Sequence, residues 1–428
     1  MKMTKYKLGE LVEVTRGASL SGQFYAEEGK LIRLTLGNFN MNGGGFKENT
    51  SKTDLYFTGT VRDEFILNEG DIITPLTEQS LGLLGTTARI PESGKYIQSQ
   101  DVALVRCKKG LLDPNFCYYL ISSSIVRQQL SAAAQQTKIR HTSPEKIKDC
   151  TVWIPDFDVQ KNIGRILTDI DNKIAINRQI NDNLEAMAKQ LYDYWFVQFD
   201  FPNEEGKPYK ASGGAMVWNE KLKREIPTYF DVKSLSEIIE VKDGTHDSPK
   251  PQDNGYFLLT SKHLTERGLD YASAYKISKE DYESINKRSK VDTNDILFSM
   301  IGTIGNSYFV EETNINFAIK NMALFKTSAK RWFSEYMYLY LSSCDYKHYE
   351  GNSLSGSIQK FVSLRTLRDM PILYHEDIIK VFAKEVRNII TMMVNLRKEN
   401  IELTKQRDEL LPLLMNGQAS VNYHLSDD

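Results

Sequence analysis

The sequence predicts an α+β protein in which two copies of one α+β domain are separated by two long helices that form an antiparallel coiled coil. Three observations support this fold class. The chain has 428 residues, about three times a typical ~150-residue domain. Matching segments recur about 220 residues apart, far beyond the period of solenoid repeats. Each copy then closes with a long run of apolar residues at alternating steps of four and three.

Composition limits the classes of protein that the chain can be. Hydrophobic residues make up 41% and charged residues 26%, as in a globular chain rather than a disordered one. The 54 Lys and Arg nearly balance the 56 Asp and Glu, so any nucleic-acid surface must be a local patch. Four dispersed cysteines and a start without an apolar signal core favour the reducing cytoplasm, and no apolar run is long enough to span a membrane.

Three pairs of segments anchor the duplication. Residues 117–124 match 337–344, and both predict a helix that ends in small polar residues. A strand followed by a glycine turn is predicted at 71–73 with Gly82 and Gly85, and again at 295–297 with Gly302 and Gly305. The third pair matches Arg140, Ser143, Ile147 and Asp149 to Lys360, Ser363, Leu367 and Asp369, with each serine as a helix N-cap. Residues 8–11 and 235–238 indicate that both copies begin alike.

Each copy is followed by one apolar helical stripe. The first consists of Val159, Ile163, Ile166, Ile170, Lys173, Asn177, Ile180, Leu184, Met187, Leu191 and Tyr194. The second consists of Ile379, Phe382, Val386, Ile389, Met393, Leu396, Asn400, Leu403, Arg407, Leu410 and Leu414. Either stripe alone is typical of an ordinary core face, whereas their recurrence favours an intramolecular antiparallel pair. About 40 residues at 1.5 Å each predict a rod of roughly 60 Å.

The polar residues of the stripes have two interpretations. In an antiparallel pair Asn177 faces Asn400, and Arg407 reaches Asp169 or Asp171; a buried Asn in such a seam costs stability but sets the register. In the alternative interpretation these side chains face water.

The predicted order of segments follows from the repeats and the stripes. We expect a first domain over 1–155, a central helix over 156–200, a turn-rich connector over 201–227, a second domain over 228–375, a distal helix over 376–417 and a tail over 418–428.

Two copies of one domain suit the reading of two separate segments of a long polymer, and local charge indicates DNA. Basic residues cluster in 135–148 and 357–368, where cations can meet phosphates and amides or Arg can pair with bases. The candidate DNA-binding residues are Gln135, Gln136, Lys138, Arg140, Ser357, Gln359, Lys360 and Arg365. The alternative is that both loops are merely solvated.

Catalytic motifs are missing from the sequence. It contains no phosphate-binding loop, no H-E-x-x-H, no nucleophile elbow and no metal-ligand spacing among its six His. A nuclease-like set of Asp156, Glu205 and Lys207 is interpreted as accidental, because a predicted helix separates Asp156 from the other two. The chain is therefore predicted to be non-catalytic, with no cofactor or metal of its own.

Several phrases resemble the specificity subunits of Type I restriction-modification systems, and the resemblance covers essentially the whole chain. The most specific phrases are 192–202, 206–208 and 212–217 in the centre, with 302–305 and 356–360 resembling recurrent phrases of the recognition domains. The family often has Pro-x-Gly-Trp before its second domain, where this chain has Pro-Thr-Tyr-Phe at 227–230. The departure concerns only that turn.

The resemblance implies a non-catalytic subunit that recognises a split target in double-stranded DNA with two target-recognition domains. It also implies two modification subunits that clasp the helices and methylate adenine with S-adenosylmethionine, and restriction subunits that add ATP- and Mg-dependent translocation and cleavage. The alternative function is a coiled-coil dimerisation scaffold without DNA specificity. A self-sufficient nuclease, the third possibility, would cleave DNA with Mg²⁺ alone.

Overall fold

The structure is a computed structural model that describes residues 2–41, 44–78, 81–133, 140–265, 268–302, 304–353 and 361–420. The chain divides into two compact units. Unit 1 comprises Met1–Ile176 with Asn400–Asp428, and unit 2 comprises Asn177–Glu399.

Unit 1 is built from short strands and helices. The strands are β1 Thr4–Lys7, β2 Val12–Arg16, β3 Tyr25–Ala26, β4 Leu31–Arg33, β5 Tyr56–Phe57, β6 Ile72–Pro75, β7 Thr77–Glu78, β8 Ala88–Arg89, β9 Tyr96–Ile97, β10 Val102–Cys107, β11 Arg140–His141 and β12 Thr151–Ile154. The helices are α1 Leu8–Leu11, α2 Pro114–Ser122, α3 Ser124–Ala133, α4 Pro144–Lys148 and the first part of α5 Phe157–Tyr192.

The centre of unit 1 is a four-stranded antiparallel sheet in the order β2-β10-β6-β8. Its middle strand, β10, has four consecutive buried residues at its start, as expected of a strand covered on both faces. Helix α2 packs into the same core, and all residues from Phe116 to Ile121 are buried. In the described residues the unit has three further sheets, the pair β1-β12, the pair β7-β11 and the four-stranded β3-β5-β4-β9.

Unit 2 repeats this plan with a different periphery. Its strands are β13 Met216–Asn219, β14 Arg224–Pro227, β15 Asp231–Ser234, β16 Val241–Asp243, β17 Tyr256–Thr260, β18 Leu264–Thr265, β19 Gly268–Leu269, β20 Lys276–Ile277, β21 Ile296–Phe298, β22 Ser307–Phe309, β23 Phe317–Lys320, β24 Ala323–Phe325 and β25 Pro371–Tyr374. Its helices are α6 Leu235–Ile238, α7 Lys279–Ser289, α8 Arg331–Ser342, α9 Cys344–Ser353, α10 Leu364–Arg368 and the first part of α11 Glu376–Met415.

The predicted duplication is confirmed element by element. The sheet β16-β24-β21-β22 repeats β2-β10-β6-β8, and the pair β15-β25 repeats β1-β12. In both units a one-turn helix follows the first strand, and a glutamate closes a capping box on it, Glu10 in α1 and Glu237 in α6. Helices α8, α9 and α10 repeat α2, α3 and α4. The α+β fold class is therefore as predicted.

The long helices α5 and α11 pack antiparallel within each unit. In unit 1 the Arg407 guanidinium lies 2.8 Å from the Asp171 carboxylate, and the Asn400 amide donates to the Ile174 carbonyl over 3.4 Å. In unit 2 the rings of Tyr192 on α5 and Phe382 on α11 are 6.1 Å apart. In the residues that the structure describes, none of these helices has the combination of length and apolar character needed to cross a bilayer.

The predicted stripe is right for α11 but wrong for the second half of α5. Ile180, Met187 and Tyr194 are 39%, 53% and 36% exposed, and the buried positions there are instead Ala188, Tyr192, Trp195 and Phe196. A strict seven-residue repeat drifts by about 20° per heptad from a straight α-helix. The apolar residues chosen by heptad spacing therefore fell on the neighbouring face of the helix.

Of the polar residues in the stripes, Asn177 and Arg407 are buried and partnered, Asn400 is partly buried, and Lys173 is exposed. Asn177 is fully buried and its amide donates to the Glu399 carboxylate over 2.7 Å. Asn400, which was predicted to face Asn177, donates its amide to the Ile174 carbonyl over 3.4 Å. The contact of Arg407 with Asp171 is confirmed, and the arginine is 8% exposed.

Candidate nucleic-acid interface

Six of the eight candidate DNA-binding residues lie outside the described residues. They are Gln135, Gln136, Lys138, Ser357, Gln359 and Lys360. The structure does place Arg140 and Arg365, together with the elements at both ends of the two basic loops.

Arg140 stands at the end of its loop and pairs with a buried acid. Strand β11 pairs antiparallel with β7, which puts Arg140 opposite Glu78. Its Nη1 lies 2.9 Å from Glu78 Oε1, and Nη2 donates to the Ser131 hydroxyl over 2.9 Å. The arginine side chain is 18% exposed and the glutamate 2%. A buried carboxylate needs such a partner, so Arg140 stabilises the pairing of β11 with β7; its predicted contact with DNA stays a prediction.

The other oxygen of Glu78 organises the predicted glycine turn. Oε2 accepts hydrogen bonds from the backbone N–H groups of Gly82, Leu83 and Leu84 at 3.0 to 3.1 Å. The Arg127 guanidinium from α3 donates to the Gly82 carbonyl. Both turn glycines of this unit have positive φ, 100° for Gly82 and 80° for Gly85, which other residues adopt only at a cost.

Unit 2 repeats the arrangement with fewer buried charges. Ile301 and Phe361 form an antiparallel bridge in the place of β7 and β11, and Gly302 and Gly305 also have positive φ. Lys347 on α9 is exposed and lies 220 residues after Arg127, so each unit has a cation at the same position of the same helix.

Arg365 is the most exposed of the candidate residues that the structure places. It is the second residue of α10 and its side chain is 91% exposed. Its Nε lies 3.5 Å from the Asp369 carboxylate, an exposed ion pair that costs little to break. Arg365 can therefore reach a phosphate without loss of core packing.

The two serines predicted as N-caps are confirmed. The Ser143 hydroxyl accepts from the Lys146 N–H over 3.3 Å at the start of α4, and Ser363 accepts from the Thr366 N–H over 3.0 Å at the start of α10. A hydrogen bond from its own backbone N–H, together with the Ser143 hydroxyl, holds the pKa of Glu145 below its ordinary value. This acid therefore stays ionised beside Lys146 and Lys148.

The sequence analysis missed Glu78, Arg127 and Lys347. Glu78 had no signal, because a single acid after a strand is common on exposed turns. Arg127 and Lys347 were detectable, since the matched segments 117–124 and 337–344 continue into α3 and α9 at the same spacing.

A metal site is not found in the described ranges. Within them, no three His, Cys, Asp or Glu side chains are grouped so that they could hold a metal ion. Of the nuclease-like set, Lys207 pairs with Glu205 over 2.8 Å on an exposed turn of unit 2, while Asp156 belongs to unit 1.

Comparisons with known proteins agree with the resemblance seen in the sequence. Residues 1–186 match the family model of the Type I restriction modification DNA specificity domain. The MjaIX specificity subunit of Methanocaldococcus jannaschii is 23% identical over 329 residues, 73% of this chain and 71% of the relative. The EcoBI specificity subunit of Escherichia coli is 23% identical over 399 residues, 86% of this chain and 81% of the relative. Both are specificity subunits of Type I restriction enzymes.

A solved structure has the same fold. The crystal structure of a Type I restriction-modification S subunit from M. genitalium superposes with a TM-score of 0.56 at 17% identity, covering 97% of this chain and 96% of that one. Residues 1–186 thus match the Type I restriction modification DNA specificity domain, and the whole chain is similar in sequence to specificity subunits of Type I restriction enzymes.

Proposed function

We propose that this chain recognises a bipartite sequence in double-stranded DNA and positions modification subunits on it. Each unit reads one half of the target through its glycine turn, the basic loop that precedes α4 or α10, and the first turn of that helix. The observation that carries this proposal is the duplication: the same turn, cation and N-capped helix recur in both units. A protein that reads one uninterrupted site has no need of two such surfaces.

The charges of the described residues support a polyanionic ligand at these surfaces. In unit 1, Arg127, Lys146 and Lys148 lie on α3 and α4, the helices before and after the basic loop, and in unit 2, Lys347 and Arg365 lie on the corresponding helices α9 and α10. Phosphate contacts orient a protein on duplex DNA, while base contacts provide specificity. The amides and cations predicted in the loops, Gln135, Gln136, Lys138, Gln359 and Lys360, are the proposed base and phosphate contacts.

Exposed apolar residues on the long helices support a protein partner. Ile180, Met187, Val381 and Met392 in unit 2 are 39%, 53%, 46% and 51% exposed, although they lie on helices with a well-filled seam. Apolar side chains presented by a helix are typical of packing against partner helices. We therefore assign these faces to the binding of modification subunits. We expect two such subunits on the helices of one chain.

The chemistry belongs to those partners in this proposal. S-adenosylmethionine binds the modification subunits, and ATP and Mg bind restriction subunits where these accompany the complex. The chain itself supplies recognition and spacing.

Exchange of one unit tests the bipartite model most directly. Residues 1–155 are replaced by the matching segment of another specificity subunit, and the methylated motif is determined by methylome sequencing of cells that carry the chimera with its modification subunits. We expect one half of the motif to change and the other half to persist. A chimera that methylates DNA but has changed both halves would contradict the assignment of one half to each unit.

Salt-dependent binding separates this function from that of a dimerisation scaffold. The complex with modification subunits should prefer duplexes of one selected sequence to scrambled ones, and the logarithm of its affinity should fall linearly with that of the salt concentration. A scaffold would show neither sequence preference nor a steep salt slope.

A further inference from the structure

An exposed aliphatic side chain precedes the first turn glycine in each unit. Leu81 is 76% exposed and stands before Gly82, and Ile301 is 38% exposed and stands before Gly302. A single exposed aliphatic residue is ordinary on a protein surface. The recurrence of such a residue in both units is less ordinary, because the segments that lead from the strand to the turn differ in length. Gly82 follows Asp71 by 11 residues, and Gly302 follows Asp295 by seven.

Both turns are held firmly by hydrogen bonds. In unit 1 the buried Glu78 accepts three backbone N–H groups of the turn, as described above. In unit 2 the Ser299 hydroxyl donates to the Ile301 carbonyl over 3.0 Å, and the Gly305 N–H donates to the Ser299 carbonyl over 3.2 Å. The aliphatic side chains therefore stand on ordered backbone, and binding through them loses little conformational entropy.

The surroundings of these residues identify the class of ligand. The Arg127 guanidinium contacts the Gly82 carbonyl, and Lys347 occupies the matching position of α9 in unit 2. An aliphatic tip beside a cation is suited to duplex DNA, where the cation meets a phosphate and the aliphatic group meets a base. Among the base edges in the major groove, only thymine presents a methyl group.

We propose that Leu81 and Ile301 are specificity-determining residues, each of which contacts a thymine methyl group in the half-target read by its own unit. The proposal rests on the proposed function, since it assigns individual side chains within that recognition. The exposed Phe361 ring, which is bridged to Ile301, extends the apolar surface of unit 2. Unit 1 has Leu81 alone, so the two units should differ in how much apolar contact they make.

The test is a cycle of protein and DNA methyl deletions. The full chain, copurified with its modification subunits, selects duplexes from a randomised pool; each thymine of the selected sequence is then replaced singly by uracil, which lacks the methyl group. Affinity is measured for the wild type, Leu81→Ala and Ile301→Ala. Leu111→Ala, an exposed leucine of unit 1 at 49% away from the turn, is the matched control.

We expect one thymine in one half-target to lose roughly fourfold to tenfold affinity for the wild type on replacement by uracil. Leu81→Ala should abolish that loss without changing the salt slope, and Ile301→Ala should do the same in the other half. Leu111→Ala should leave every value unchanged. All three substitutions are at exposed positions, so the variants should fold.

Two results would overturn the proposal while the proposed function stands. In one, the wild type is selective but both variants keep its sensitivity to uracil. In the other, the variants weaken binding to every duplex alike, with no dependence on the thymine methyl group. If the wild type selects no sequence at all, the proposed function fails and this assignment fails with it.

Discussion

Both units contain the same contact between the long helices, but the buried side chains at this contact are polar in unit 1 and apolar in unit 2. In unit 1, Tyr119 donates to Asp171 over 2.7 Å and Arg407 pairs with the same carboxylate over 2.8 Å. In unit 2 the residues at the matching positions are Leu339, Ile390 and Ala188, which are all buried and apolar. Residues of α2 are matched to residues of α8 that lie 220 positions later. Residues of the long helices are matched at a spacing of 219, at which the buried Ile163 and Leu167 correspond to the buried Phe382 and Val386.

This difference between the units distinguishes residues that stabilise the helix contact from residues that fix its register. Apolar residues of the right size stabilise a helix contact at many alignments, whereas a buried ion pair is favourable only where both partners meet. The Tyr119 hydroxyl, whose pKa burial and the neighbouring Asp171 raise, remains a proton donor to that carboxylate. In unit 1 the polar cluster of Tyr119, Asp171 and Arg407 therefore defines one alignment of α5 and α11, whereas unit 2 has a larger apolar core.

The sheet that begins each unit shows a second difference. Trp153 on β12 is 43% exposed, and its counterpart on β25, Leu373, is 3% exposed. In unit 2 the connector supplies Phe201 and Ile226 to the core that contains Leu373. The connector, predicted to be turn-rich, also contains the hairpin β13-β14.

The largest loss of stability is expected when one member of the polar cluster of unit 1 is removed. Arg407→Ala leaves Asp171 largely buried without its cation and should destabilise unit 1 by about 3 to 4 kcal/mol. Hydrogen–deuterium exchange should show faster exchange in α2 of unit 1, while α8 of unit 2 serves as an internal control. Lys405→Ala, at an exposed position of the same helix, should leave both rates unchanged.

The same comparison predicts a rescue. The triple variant Tyr119→Leu, Asp171→Ile and Arg407→Ala gives unit 1 the residues of unit 2 and should recover most of the lost protection, because replacing a buried ion pair by apolar residues is often neutral. Exchange as fast as in Arg407→Ala alone would show that unit 1 needs its charges for stability as well as for register.

The next largest loss of stability is expected from substitutions of Leu373 on β25 and its counterpart Trp153 on β12. Leu373→Ala should cost about 2 to 3 kcal/mol because it opens a cavity in a filled core, and Trp153→Ala should cost less than about 1 kcal/mol because its ring is half exposed. Limited proteolysis and thermal unfolding of both variants measure the difference. Equal losses would mean that Trp153 is as important to its unit as Leu373 is.

A smaller effect is expected from Glu78→Gln in unit 1. The amide keeps one acceptor for the turn but loses the ion pair with Arg140, which should cost about 1.5 to 2 kcal/mol locally. Exchange of the Gly82, Leu83 and Leu84 amides should speed up by about tenfold or more. The corresponding bridge of unit 2 joins the apolar residues Ile301 and Phe361, so its turn should keep wild-type exchange; a change there would point to an indirect effect.

The smallest pair compares the two N-caps. Ser143→Ala and Ser363→Ala should each destabilise their short helices by about 1 kcal/mol. Thermal unfolding of the two variants, with Thr in place of Ala as the conservative control, measures the loss. A clear inequality between them would show that α4 and α10 are held differently by their units.

Part of the candidate site was predictable and part was not. The serine N-caps were found because local chemistry, a polar residue before a short apolar helix, repeats in the sequence. Glu78 was not found, because its role depends on β7 meeting β11 across 62 positions of the chain. Its two oxygens bind one loop through Arg140 and another through backbone N–H groups, a juxtaposition that local patterns do not contain.

The sequence by itself determined the duplication, the α+β class and the two long helices, because each depends on spacing within a segment or on the match between two segments. The tertiary structure alone decided which face of α5 is buried, that Arg407 pairs with Asp171 rather than facing water, and that the connector packs into the core that contains Leu373. These outcomes depend on which surfaces meet. A helix with apolar residues on two faces can bury either of them, and only its packing partner selects one.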